Sequence, residues 1–225
     1  MQREWTENDL KEMASQLGNP TGPGGLKVGQ MMNLSNNAMI ATTVALLGIQ
    51  DGQCILEIGQ GNGKHVHSIL GEKQNLKYTG LDISETMIAE ATQLNSISVM
   101  DGTVNFVLAN GKTVPFASHS FDRIFTVNTI YFWKQPLAYA KEIRRVLKPD
   151  GIFNLAVTDK SFMEKLPWIK YGFQLYDKKS VSKVVVDAGF EIVEVVEQVD
   201  ITIGNMGQPV ERDIMVFICR KGEGS

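Results

Sequence analysis

The amino-terminal fifty residues carry two helical patterns. Residues 3–17 place apolar and charged positions at helical spacing, predicting an amphipathic helix. Gly18-Asn19-Pro20-Thr21-Gly22-Pro23-Gly24-Gly25 then breaks regular structure, as a flexible connector or as a loop that closes over something. A second helical pattern runs from about Val28 to Leu47 and is stopped by Gly48. Beyond it, apolar runs of strand length alternate with helical segments, which is how βαβ units of a parallel sheet read. Strands are predicted at 53–58, 77–82, 103–108, 122–128 and 151–157, with helices at 62–71, 84–95 and 135–147. Pro149-Asp150-Gly151 is read as the cap of the last of these helices. An aromatic-rich stretch, Phe162 to Tyr176, leads into a helix at 178–188. Two final strands, 191–199 and 212–219, are joined through Gly204–Pro209, long enough for an antiparallel hairpin and too short for a helical crossover.

The expected fold is therefore α/β: a doubly wound, Rossmann-like, seven-stranded and mostly parallel sheet, with an antiparallel C-terminal hairpin and helices on both faces. Residues 1–50 are expected to form a helical cap on the substrate side, 51–221 the core, and 222–225 a frayed tail.

Composition narrows the function. The chain has 225 residues, 43% hydrophobic and 21% charged, and its 22 Lys+Arg against 25 Asp+Glu leave a net charge of −3. One domain of this length buries a core without disulfides or metals. The acidic balance argues against nucleic acid as a partner. Cys54 and Cys219 each sit in an apolar strand and read as small hydrophobes, so no disulfide framework and no metal site is expected. The start lacks an apolar signal core, and Ala38–Ile49, the longest mainly apolar stretch, is interrupted by two threonines and a glycine. A cytoplasmic protein is expected, neither exported nor membrane-bound. Oligomeric state is not legible.

The first strand runs into Gly59-Gln60-Gly61-Asn62-Gly63-Lys64-His65. A glycine turn between a parallel strand and a helix lets a ligand approach the backbone closely. A phosphate-cradling P-loop would need Gly at 58 and Ser or Thr at 65, where Ile58 and His65 stand. A dinucleotide loop would need a small residue at 64, where Lys64 stands, so a nicotinamide oxidoreductase is disfavoured. What remains is an acid followed by three alternate glycines, Glu57-x-Gly59-x-Gly61-x-Gly63. The second strand ends in Asp82-Ile83, an acid placed to accept from both ribose hydroxyls of a nucleoside. The glycines also suit a plain tight turn, and Asp82 a helix N-cap, with Ser84 competing for that position.

This combination resembles the class I S-adenosylmethionine-dependent methyltransferases. The resemblance extends through Asn110-Gly111 to Ser120-Phe121-Asp122 and through Glu142-Ile143-Arg144-Arg145-Val146-Leu147-Lys148-Pro149. It implies S-adenosylmethionine as cofactor, held by Glu57, Gly59, Gly61, Gly63, Asp82, Ile83, Asn110, Gly111 and Asn128. The family usually has Asp at the position of Asn110, which is expected to contact adenine through its amide oxygen, although an Asn-Gly turn without a ligand reads nearly as well. Asn128 is expected to face the methionyl end or the acceptor. The two prolines that follow this position in nucleic-acid amino methylases are absent from Asn128-Thr129-Ile130-Tyr131.

The expected activity is methyl transfer to a small, partly apolar acceptor; the alternative is a non-catalytic regulatory protein that binds S-adenosylmethionine or a nucleoside. An aminopropyltransferase loop, Gly-Gly-Gly-Asp-Gly, is not matched. His65 and Tyr131 are the candidate catalytic residues, ahead of His67, His119 and Asp159. Met32, Tyr131, Trp133, Trp168 and Tyr171 are expected to line the acceptor site, although methionines and aromatics in such segments also serve plain packing.

Overall fold

The computed structural model describes residues 5–71, 73–203 and 208–222. Its elements are α1 (Glu7–Gly18), α2 (Gly22–Ala45), β1 (Cys54–Ile58), α3 (Val66–Leu70), β2 (Lys77–Asp82), α4 (Glu85–Leu94), α5 (Ser96–Met100), β3 (Val104–Leu108), β4 (Phe121–Val127), α6 (Pro136–Val146), β5 (Leu147–Thr158), α7 (Lys160–Met163), α8 (Lys178–Asp187), β6 (Phe190–Ile203) and β7 (Pro209–Lys221). The seven strands form one sheet in the order β3-β2-β1-β4-β5-β7-β6. β1 to β5 pair in parallel, and β7 pairs antiparallel with both β5 and β6. The expected hairpin is present; its connection at 204–207 lies outside the described residues.

The strands alternate between two cores, as a sheet covered on both faces must. Leu56, Ile124, Leu155 and Phe217 belong to one cluster with Ile143, Val146, Val181 and Val185 from α6 and α8. Their neighbours Ile55, Phe125, Ala156 and Val216 belong to the other, with Met39 of α2 and Val66 and Ile69 of α3.

Two boundaries differ from the sequence reading. Gly22–Gly25 opens α2 rather than breaking structure, with Pro23 in the first turn, where its missing N–H costs nothing. The glycines there are packing devices: a Cβ on Gly25 would lie 2.6 Å from the Pro20 carbonyl carbon, and one on Gly29 2.9 Å from the Met87 sulfur. α6 ends at Val146 because Leu147 is already extended, so Lys148-Pro149-Asp150-Gly151 belongs to β5 and caps nothing. At the C-terminus Gly222 donates to the Gly189 carbonyl at 3.0 Å and so is held, not frayed; residues 223–225 lie outside the described set.

Candidate active site

In an open parallel sheet, ligands bind beyond the carboxyl ends of the strands where strand order reverses. Here that point lies between β1 and β4, and the ends of β1, β2 and β4 open into one cleft. α2 covers it: Asn33 Nδ2 donates to Asn62 Oδ1 of the glycine loop at 2.8 Å, and Gly22 N donates to Thr86 Oγ1 at 3.1 Å. The cleft holds about 130 Å³, and Met32, Asn33 and Phe132 are among the residues that line it.

The glycine loop is built for close approach. Gly59 has φ +75°, and a Cβ there would lie 2.3 Å from Thr129 Cγ2. Gly61, at φ +57°, lines the cleft with nothing within 4 Å of a built Cβ, which leaves that space to a ligand. Its amide donates to Asp82 Oδ2 at 3.0 Å. Gly63 has another task. Its Cβ would meet Ala91, Phe106 and Asn95, so it seats the loop against α4 and β3 and does not contact the cleft.

Asp82 is buried, with Oδ1 accepting from Ser84 N at 2.9 Å and Oδ2 from Gly61 N. Burial pushes its pKa up to about 6 against the pull of the backbone N–H groups of Ser84, Gly61 and Ile83. Ser84, not Asp82, caps α4. Each Asp82 oxygen keeps a lone pair for a further donor. Ile83 and Gly111 face one another across the same wall, 3.4 Å from a Cβ built on Gly111 to Ile83 Cγ2. Asn110 stands outside it. Its side chain is exposed and accepts from Lys112 N at 2.8 Å and Thr113 N at 2.9 Å, closing its own turn rather than reaching a ligand.

Glu57 is 2% exposed. Its Oε2 accepts from the Tyr78 hydroxyl and lies 2.7 Å from His65 Nε2. Burial alone would lower the His65 pKa, but the charge and hydrogen bond of Glu57 raise it on balance. His67 and His119 are exposed, away from this wall.

Asn128 adopts the left-handed conformation, φ +57°, at the end of β4. Its Oδ1 accepts from the Tyr131 hydroxyl and Thr158 N, each at 3.0 Å, while Nδ2 donates to Asn36 Oδ1 of α2 at 3.1 Å. Asn128 thereby forms the partition between the cleft and a second cavity of about 470 Å³. Met31, Met32, Phe132, Phe162, Met163, Leu166 and Trp168 give that cavity an apolar wall.

Three expected acceptor-side roles change. The Tyr131 hydroxyl lies 3.0 Å from both Asn128 Oδ1 and the Thr158 carbonyl, which share its one proton, and accepts from Thr158 N at 2.8 Å; burial drives its pKa far up, so it stays a neutral phenol that braces Asn128. Its ring still lines the second cavity. Trp133 lines the cleft instead, edge-to-face with Tyr139 at 5.0 Å between ring centres, with Nε1 donating to Thr129 Oγ1. Tyr171 reaches neither cavity and sits beside the ammonium groups of Lys11 and Lys170 at 5.6 and 5.1 Å. Met32 and Trp168 do line the second cavity.

The sequence reading missed the polar side of that cavity. Arg212 of β7 is buried, with Nε and Nη2 on Asp200 Oδ2 at 2.8 and 2.7 Å and Nη2 on the Ser35 carbonyl at 2.6 Å. This pair ties the terminal hairpin to α2. No local pattern announces it, because Arg212 and Ser35 are separated by most of the chain.

Fold and cleft together define a Rossmann-like domain with a ligand-sized opening at its switch point. Residues 56–155 match the family described as a methyltransferase domain. Over 107 residues the chain is 36% identical to the cycloartenol-C-24-methyltransferase of Arabidopsis thaliana, covering 48% of this chain and 32% of that one. Over 130 residues it is 30% identical to the O-methyltransferase resE of Aspergillus sclerotiorum, covering 58% and 48%. The chain thus spans between a third and a half of these relatives. The crystal structure of a SAM dependent methyltransferase from Aquifex aeolicus superposes with a TM-score of 0.63 at 19% identity, covering 92% of this chain and 97% of that one. These likenesses are consistent with a class I S-adenosylmethionine-dependent methyltransferase domain over residues 56–155, and they support S-adenosylmethionine as its cofactor.

The residues present suit that cofactor. The loop offers a buried acid and close backbone in place of a phosphate nest, and Gln60 Oε1 and His65 Nδ1 are buried in the cleft region without partners. Unpaired buried polar atoms of this kind are ones a ligand satisfies.

Proposed function

We propose that the protein is a methyltransferase acting on a small, largely apolar molecule held in the second cavity. The observation that carries this reading is the shared wall: Asn128, Met32, Asn36 and Phe132 border both cavities, so a ligand in one abuts a ligand in the other. S-adenosylmethionine supplies an electrophilic methyl group on a sulfonium. The protein's part is orientation, since in-line displacement gains most from alignment of the reacting atoms.

In this reading Asp82 takes the ribose hydroxyls, Ile83 and Gly111 pack the adenine, and Glu57, Gly59 and Gly61 hold the methionyl end. Asn128 fixes where the methyl group meets the acceptor. Among the described residues the second cavity is lined by no histidine and no carboxylate. It suits an acceptor whose nucleophilic atom is neutral or already ionised near neutral pH, for which no general base is needed.

The test is S-adenosylhomocysteine release across a panel of apolar thiols, amines and acidic hydroxyl compounds. Trp168→Ala should raise the acceptor KM at least tenfold and leave the cofactor Kd within twofold. Loss of both in equal measure would place Trp168 in the scaffold and not at an acceptor.

A further inference from the structure

His65 does not belong to the acceptor side. It stands where the glycine loop enters α3, lines the cleft together with Glu57, and has a side chain only 10% exposed. One ring nitrogen is committed, with Nε2 lying 2.7 Å from Glu57 Oε2. That oxygen also takes the Tyr78 hydroxyl, so the buried carboxylate is an acceptor on both sides and the proton lies on Nε2. The other nitrogen, Nδ1, is buried and has no partner.

A buried ring nitrogen without a partner, in the wall of a ligand cleft, is one the ligand is placed to satisfy. The methionyl end of the cofactor carries an ammonium and a carboxylate. Glu57 can answer only the first. We propose that His65 is the cofactor-binding residue for the methionyl carboxylate, held by Glu57 as an imidazolium with Nδ1–H directed at that group. Glu57 and His65 then form a charge-paired dyad that selects a zwitterionic end group over a merely cationic one. The Glu57 charge raises the pKa of His65 despite its burial, in keeping with this state. The proposal rests on reading the cleft as the S-adenosylmethionine site.

The test is calorimetric and needs no turnover. Wild-type protein is titrated with S-adenosylmethionine, with its decarboxylated form, which keeps the ammonium, and with S-adenosylhomocysteine and 5′-methylthioadenosine, which lacks the whole end group. The decarboxylated ligand should bind at least tenfold more weakly than S-adenosylmethionine. His65→Gln and His65→Ala should weaken S-adenosylhomocysteine tenfold or more and leave 5′-methylthioadenosine within twofold. Equal affinity of the wild type for the two S-adenosyl sulfonium ligands would overturn the proposal even if both variants failed to fold. Parallel losses for S-adenosylhomocysteine and 5′-methylthioadenosine would also overturn it, reducing His65 to a prop for the loop. If wild-type protein bound none of the four, the reading of the cleft itself would fail and the proposal with it.

Discussion

Replacing Asp82 with asparagine removes a charge that the free protein holds at a cost. The carboxyl of the folded chain gives up its proton near pH 6, against 3.8 for an unperturbed aspartate. Between those values the native state binds more protons than the unfolded state, so stability is present at low pH and declines as pH rises through the window. The gap corresponds to about 3 kcal/mol. Asparagine lacks this titration, but one of its amide hydrogens must face the N–H of Gly61 or Ser84, which costs about 1–3 kcal/mol. The two effects nearly offset at pH 7, so Asp82→Asn should lie within about 2 kcal/mol of wild type there. From pH 4 to 6.5 wild type should lose about 2 kcal/mol relative to the variant, in which this titration is absent. Urea denaturation across that range reads the difference directly. Affinity for S-adenosylhomocysteine should drop about 10- to 100-fold, the worth of charge-assisted bonds to the ribose. Parallel stability curves would refute the argument from burial. An affinity within twofold of wild type would refute the ribose role.

Gly59→Ala forces a Cβ into the left-handed region and against the Thr129 methyl group, 2.3 Å away. It should cost about 2–4 kcal/mol by urea denaturation and abolish cofactor binding; a loss under 1 kcal/mol would mean the turn relaxes freely. Arg212→Leu strands the Asp200 carboxylate, which is 5% exposed. Such a change costs about 3–5 kcal/mol, and Arg212→Leu with Asp200→Leu should recover most of it, since an apolar pair of similar volume replaces a buried ion pair at little cost. A double variant as unstable as the single one would contradict that reading.

The fold was legible because its signal is local and periodic. Runs such as Cys54–Ile58 and Phe121–Val127 are strand-length and mainly apolar, and along the chain such runs alternate with helical segments. The α2 boundary was not legible, since its opening glycines and proline spell a loop unless Pro20 is known to press on Gly25 and Met87 on Gly29. In the cleft, residues whose roles follow from the strand ends, Glu57, Gly59, Gly61 and Asp82, are brought together as spacing suggested. Gly63 and Asn110 share that spacing, yet face the scaffold and their own turn. Their identities fit either use, and only the third dimension tells which. The second cavity was half legible: aromatic and methionine segments announced an apolar site, but which ring faces it depends on helical phase over a few residues. The same short stretch sends Trp133 to the cleft and Tyr131 to the other side. Asn36 and Arg212 gave no signal, because the groups they meet lie far away along the chain.

The central claim is that the cleft between β1 and β4 binds S-adenosylmethionine, and a calorimetric titration of the wild-type chain tests it most directly. S-Adenosylmethionine and S-adenosylhomocysteine should each bind saturably, one to one, and NAD should not compete. No binding of either, or tighter binding of NAD, would contradict the account at its root and leave the chain with a methyltransferase fold put to another use.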